Sequence, residues 1–340
     1  MNRLHRLLAL AAVVALIVGA CGTGQASPSP RPATVRLALD WTPNTNHLGF
    51  YVARHEGWYA DAGIELKVLP YTGTTPEALL VAHQAECGIA FQDSMTFAVA
   101  AGAKVKSVMA ILQHTAQEIA VLADSGITRP RDLDGKIYAG FGYPNEEPTV
   151  RAVIQADGGN GEFRPVLLGD AAAYQALYAK RADFAIVFTA WEGIDAQQQG
   201  IALRQFAFTD YGFPDFYQVV LACDADWLAR DPDAARRFAT ATRRGFEEAA
   251  KNPAGAAATL VEENPGVFDA NPKLPLASAE FLAKGGFWTD EQGNVGRQTL
   301  EKWAGYSGFL YEEGLLVDAA GKPLTAPPDY AALFTNDFLQ

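Results

Sequence analysis

Cysteine is scarce in this 340-residue chain. Cys21, Cys87 and Cys223 are the only three, and none belongs to a cysteine and histidine cluster with metal-ligand spacing, so no structural zinc or other metal site is expected. Cations are in the minority as well, 27 Lys and Arg against 39 Asp and Glu, for a net charge of −12. A body this acidic is a poor partner for nucleic acid, which rewards basic surfaces. The chain has no glycine-rich phosphate loop, and no period of about 20 to 50 residues repeats, which sets aside P-loop nucleotide chemistry, solenoids and propellers. No nucleophile elbow is present.

What the chain does have begins at its N-terminus. Arg3 and Arg6 precede the apolar run Leu7 to Val18, followed by Gly19, Ala20 and Cys21. That run is short for a membrane span and has the order of a secretory signal, here residues 1–20. "VGAC" resembles a bacterial lipobox, which would make Cys21 the lipidated first residue of the mature protein. The Gly, Ser and Pro stretch that follows, within 21–33, reads as a flexible tether. Residues 1–20 carry those two arginines and no acid, so their removal takes the charge from −12 to −14. Cys87 and Cys223 read as small residues at strand edges in preference to a bridge, although an oxidising compartment would permit one.

From about Thr34 the pattern alternates. "VRLALD", "IELKVLP" and "CGIAF" are strand-like and are separated by helical segments at about 47–62 and 76–85. The series restarts after Asp124 with "KIYAGFG", "FRPVLLG" and "DFAIVF", and past "FYQVVLAC" the chain turns mainly helical over 231–263 and 297–313. Alternation of this kind predicts parallel α/β units with helices on both faces. About 300 ordered residues suit two cores better than one. The expected division is 34–122 with 215–340 as one lobe and 123–214 as an inserted second, which implies a hinge and a cleft.

In open α/β sheets ligands bind beyond the carboxyl ends of strands. The residues there are Trp41, Thr42, Asn44, Asn46 and His47; then Gln92, Asp93 and Ser94; then Tyr143, Asn145 and Glu146; then Thr189, Trp191 and Glu192. Phe216 and Tyr217 open a further strand. Flat aromatic faces beside amides and carboxyls suit a planar heterocycle with polar edges. Lys and Arg are absent from these loops, which disfavours phosphate or sulfonate. Asp93, Asn145 and Glu146 could equally be helix-start residues.

Together, "LDWTPNTNHLGFYVARHEGWYADAGIELKV", "GIAFQDS", "GYPNEEPTV" and "AWEGI" resemble the thiamine-pyrimidine family of solute-binding proteins, which is related to the yeast pyrimidine synthase. The resemblance implies a two-lobe periplasmic-binding-protein fold, hinged around a ligand cleft. It carries stacking roles onto Trp41, Tyr143 and Trp191, and polar-edge roles onto Asn46 and Glu192. It further implies a monomer, lipid-anchored on the outer face of the membrane, that delivers riboflavin or formylaminopyrimidine to an ABC permease and its ATPase. The chain departs from the yeast-type synthase in having no cysteine-rich iron motif, and with the export signal this removes the enzyme reading. No cofactor is expected. A hydrolase built on Asp93 with His47 or Glu146, or a subunit of a sensor kinase, are the rival functions.

Overall fold

A computed structural model describes residues 31–169 and 172–339. The expected signal, the lipobox Cys21 and most of the tether lie outside the described residues. Among the described residues, ten strands form two five-stranded sheets. The first contains β1 (Ala33–Ala38), β2 (Ile64–Leu69), β3 (Cys87–Phe91), β4 (Val105–Ala110) and, from late in the chain, β10 (Val219–Asp224), in the order β2-β1-β3-β10-β4. The second is β7-β6-β8-β5-β9, built from β5 (Gln117–Leu122), β6 (Ile137–Gly140), β7 (Arg164–Leu167), β8 (Phe184–Phe188) and β9 (Leu203–Ala207).

Each sheet has a parallel trio, β2-β1-β3 and β7-β6-β8, as the alternation predicts. Each also contains an antiparallel strand that the alternation does not predict: β10 beside β3 and β4, and β5 beside β8 and β9. These are the strands that arrive from the other sheet. The chain enters each sheet from the side where the parallel trio ends, so the entering strand must run the opposite way. The first crossing follows β4 and the second precedes β10. β5 therefore belongs to the second sheet, and the expected boundary at 122/123 falls one strand too late.

The helices that cover the first sheet owe their packing to small residues. Gly49, on α1 (Leu48–His55), meets Gly245 on the long α4 (Pro232–Lys251); here α2 (Gln92–Ala100) and α3 (Glu146–Ala156) are the helices that follow β3 and β6. A Cβ on Gly245 would lie 1.9 Å from the Gly49 carbonyl oxygen, so only glycine lets the two backbones touch. Asp231 caps α4 by accepting from the Ala234 amide. Beyond it, Asn252-Pro253 breaks the expected single helix and starts α5 (Pro253–Glu263). α6 (Leu274–Lys284) follows, and α7 (Leu300–Glu312) carries Trp303 into the first sheet's core and Tyr306 and Leu310 into the second's. No helix among the described residues is long and apolar enough to cross a membrane.

Cys87 and Cys223 face each other in the β3/β10 register and are joined by a disulfide. The expectation of two unpaired residues is corrected. The cause is topological: β10 returns from the second sheet to pair beside β3, and no local pattern announces that neighbour.

Candidate functional site

The cleft opens where β1, β3, β6 and β8 end, and both sheets contribute to its wall. It encloses about 250 Å³, room on the scale of a small organic ligand rather than a bare ion.

The segment after β1 folds on itself through its polar side chains. The Asn44 amide donates to His47 Nδ1 at 3.2 Å, which makes that nitrogen an acceptor; Nε2 therefore holds the proton and donates to Asp40 at 2.7 Å. The Asn44 side chain accepts from the Asn46 amide and donates to the Thr42 carbonyl. Thr45 is bonded to Ser278 at 2.7 Å. His47, Asn44 and Thr45 thus shape the loop, which presents Trp41 and Asn46 to the cleft. Thr42 does not line it and is exposed.

After β3, Asp93 lies in the wall while its neighbour Gln92 does not. Gln92 is fully buried, donates to the Lys302 and Trp303 carbonyls and accepts from the Tyr217 amide. Tyr217, 1% exposed, packs beside Trp303 and its hydroxyl accepts from the Thr299 amide. The expectation that Gln92 and Tyr217 line the pocket is corrected; both are internal ties that join the start of α2 and the segment before β10 to α7 and its cap.

Asp93 receives the Ser94 amide at 2.6 Å, the Asn145 side chain at 2.7 Å and the Tyr306 hydroxyl at 3.3 Å. Asn145 comes from the second sheet, so this knot bridges the cleft. Burial pushes the Asp93 carboxyl up against those donors. It does the same to Glu77, whose partner is the Ser94 hydroxyl. Glu146 borders the cleft, but its carboxylate is committed to the Tyr138 hydroxyl at 2.6 Å and to the Phe141 and Tyr143 amides at 2.8 and 2.7 Å. It holds the loop in place, and that loop puts Tyr143 at the cleft mouth, 63% exposed.

β8 ends in a π-type turn over Thr189–Gly193, the wider coil often found at functional positions. The turn sets Trp191 and Glu192 into the wall. Trp191 also meets Phe268 edge to face at 6.4 Å. Glu192 accepts from the Phe188 amide at 3.1 Å, and burial pushes its carboxyl up to about 7.

Sequence reasoning singled out Trp41, Asn46, Asp93, Tyr143, Asn145, Glu146, Trp191 and Glu192, and the structure brings all of them to one cleft. It did not single out Tyr71, whose ring lies 5.3 Å from that of Trp41, nor Phe188, 6.1 Å from Phe91. Both stand at strand ends, so the signal was present. Tyr306 and Gln218 reach the cleft from distant segments and carried none. The wall holds five carboxyl residues, Asp40, Glu77, Asp93, Glu146 and Glu192, and no Lys, Arg or His among its described residues.

The sequence model described as NMT1/THI5 like matches residues 44–256. Among curated relatives, the formylaminopyrimidine-binding protein of Halalkalibacterium halodurans is 26% identical over 70% of this chain and 73% of its own length. The riboflavin-binding protein RibY of Chloroflexus aurantiacus is 25% identical over 98% and 97%. The 4-amino-5-hydroxymethyl-2-methylpyrimidine phosphate synthase THI12 of Saccharomyces cerevisiae is 22% identical over 90% and 87%. Among solved structures, the periplasmic aliphatic sulphonate binding protein SsuA of Escherichia coli aligns with a TM-score of 0.63 at 16% identity, covering 89% of this chain and 94% of that one. The fold is therefore the two-lobe periplasmic-binding-protein fold.

Proposed function

The chain belongs to the NMT1/THI5-like family, and from that premise we propose that it is the extracytoplasmic solute-binding subunit of an ABC importer, with a cleft that takes a flat heterocyclic vitamin, riboflavin first. One observation carries the reading: aromatic faces from both lobes, Trp41 and Tyr71 on one and Phe188 and Trp191 on the other, share a cleft with carboxyls and amides and with no cationic side chain among the described lining residues. Stacking supplies area and the polar groups supply orientation. A ligand that touches both lobes favours the closed arrangement, and closure offers the permease a surface that reports occupancy. The same wall disfavours sulfonates, although a sulphonate-binding protein shares the fold.

The aminopyrimidine alternative, the ligand class named for the Halalkalibacterium relative, has its own support in Glu192. A carboxyl poised near neutrality can accept from an exocyclic amino group while sharing a proton with the adjacent ring nitrogen. Binding without turnover is favoured over the synthase activity of the yeast relative, because the chain has three cysteines in all and no cysteine-rich iron motif. Titration of the protein with riboflavin, followed through quenching of flavin emission, tests the first reading. Saturable quenching supports it; no quenching, with calorimetric heat on adding formylaminopyrimidine, transfers the site to the second.

Anchoring through a lipid on Cys21 is part of the same proposal and rests on the lipobox sequence. Cys21→Ser should move the protein from the membrane fraction to the soluble one, and a variant that stays with the membranes defeats the anchor.

A further inference from the structure

Gln218 is the last residue before β10, within the second of the two crossings between lobes. It is 1% exposed and lines the cleft. Its side-chain oxygen accepts from the backbone amide of Ala116, in the first crossing. A backbone N–H can only donate, so the atom it meets must be the oxygen, which fixes the way the amide points. Nε2 is thereby left as the other end of the group, buried and without a hydrogen-bond partner.

A buried donor with no acceptor is costly and in native structures calls for an explanation. Here the surroundings supply one. The cleft wall is rich in acceptors, Asp40, Asp93 and Glu192 among them, and has no Lys, Arg or His among its described residues. A ligand can present N–H groups to many places in it, whereas a ring nitrogen or a carbonyl needs a donor, and the described wall offers neutral donors alone, among which Gln218 Nε2 is buried and unmet. We infer that Gln218 contacts the ligand, its side-chain N–H donating to a ring nitrogen or carbonyl of a planar heterocycle held between the lobes. This rests on the cleft being the heterocycle site, and it holds for a flavin and an aminopyrimidine alike, since both carry such acceptors. Because the same amide ties the two crossing segments together, the contact places the ligand directly on the hinge. Heterocycles that lack an acceptor at that edge leave the donor unmet and are rejected.

The experiment uses the full chain with riboflavin and with formylaminopyrimidine as probes. Gln218→Glu keeps an oxygen for the Ala116 amide and exchanges the donor for an acceptor, so affinity for whichever probe the natural protein binds should fall about 10- to 100-fold. In the unsubstituted protein, the assigned side-chain ¹⁵N–¹H signals of Gln218 should move on saturation with the probe. That second measurement decides the matter even where Gln218→Glu fails to fold. Unmoved Gln218 signals under a saturating probe overturn this inference and leave the cleft reading intact, as does wild-type affinity in the variant. Absence of binding by both probes overturns the cleft reading and this inference with it.

Discussion

Replacing Glu192 with Gln isolates the electrostatic state of the cleft. Burial pushes this carboxyl from 4.5 up to about 7, against the pull of the Phe188 amide and with a smaller repulsion from Asp195. Between those two values the native state holds more protons than the unfolded chain. Stability therefore falls as pH rises from about 4.5 to about 7 and levels off above. A displacement of that size is worth about 3 kcal/mol in full. Glu192 keeps some accessible surface, and allowance for solvent screening brings the figure to about 1–2 kcal/mol. Gln keeps an oxygen for the Phe188 amide and does not titrate. Urea unfolding of both proteins across this range should find Glu192→Gln more stable than wild type by that amount above about pH 7, with the gap closing as pH approaches the unfolded value. Asp93 and Glu77 are also pushed up by burial, but they are present in both proteins and drop out of the difference. Parallel stability curves, with a constant gap throughout, would refute the placement of this carboxyl in a desolvated wall.

Trp191→Ala should weaken heterocycle binding about 5- to 150-fold if the indole stacks on the ligand, since such a face is worth about 1–3 kcal/mol. Trp191→Phe should recover much of the loss, and unchanged affinity in the alanine variant removes the indole from the site. The disulfide makes a separate prediction. Alkylation of the unreduced mature protein should leave Cys87 and Cys223 untouched, and replacing both with serine should cost up to about 5 kcal/mol in urea unfolding on the chain-entropy estimate, because the bridge spans 136 residues of sequence. Two reactive thiols in the native protein would contradict the β3/β10 pairing.

The strand ends were legible because two local signals coincide there. An apolar run stops, and aromatic and polar residues that have no place in a sheet core follow at once. Trp41, Asn46, Trp191 and Glu192 were readable for that reason. Thr42, Gln92 and Tyr217 satisfy the same sequence test and fail in three dimensions: Thr42 is exposed outside the cleft lining, and the other two are consumed by hydrogen bonds to α7 and to each other. A strand end gives a side chain the opportunity to enter the cleft, and its bonding partners decide whether it does. The antiparallel strands β5 and β10, the disulfide, Gln218 and Tyr306 were illegible, since each depends on where a distant segment returns.

The polar island Asp40 to His47 makes the general point about a cleft of this kind. Of its side chains, His47, Asn44 and Thr45 bond within the protein to build the turn, and Trp41 and Asn46 line the cleft beside Asp40, Asn44 and Thr45. Glu146 does the same for the loop that carries Tyr143. The polar residues of the site thus divide into those whose hydrogen bonds close within the protein and those whose bonding capacity remains for a ligand. By that division Asp40, paired with His47, and Glu146 contribute charge and shape. On the proposed reading, Glu192, with its carboxyl poised near neutrality, and Gln218, with a donor unmet, are where discrimination between heterocycles would reside. A sulphonate-binding protein reaches a similar arrangement of lobes, so the lobes and hinge do not choose the ligand. On the proposed reading the choice lies in the wall, whose five carboxyl residues, with no described Lys, Arg or His, offer an anion no cationic partner and suit a ring that can donate.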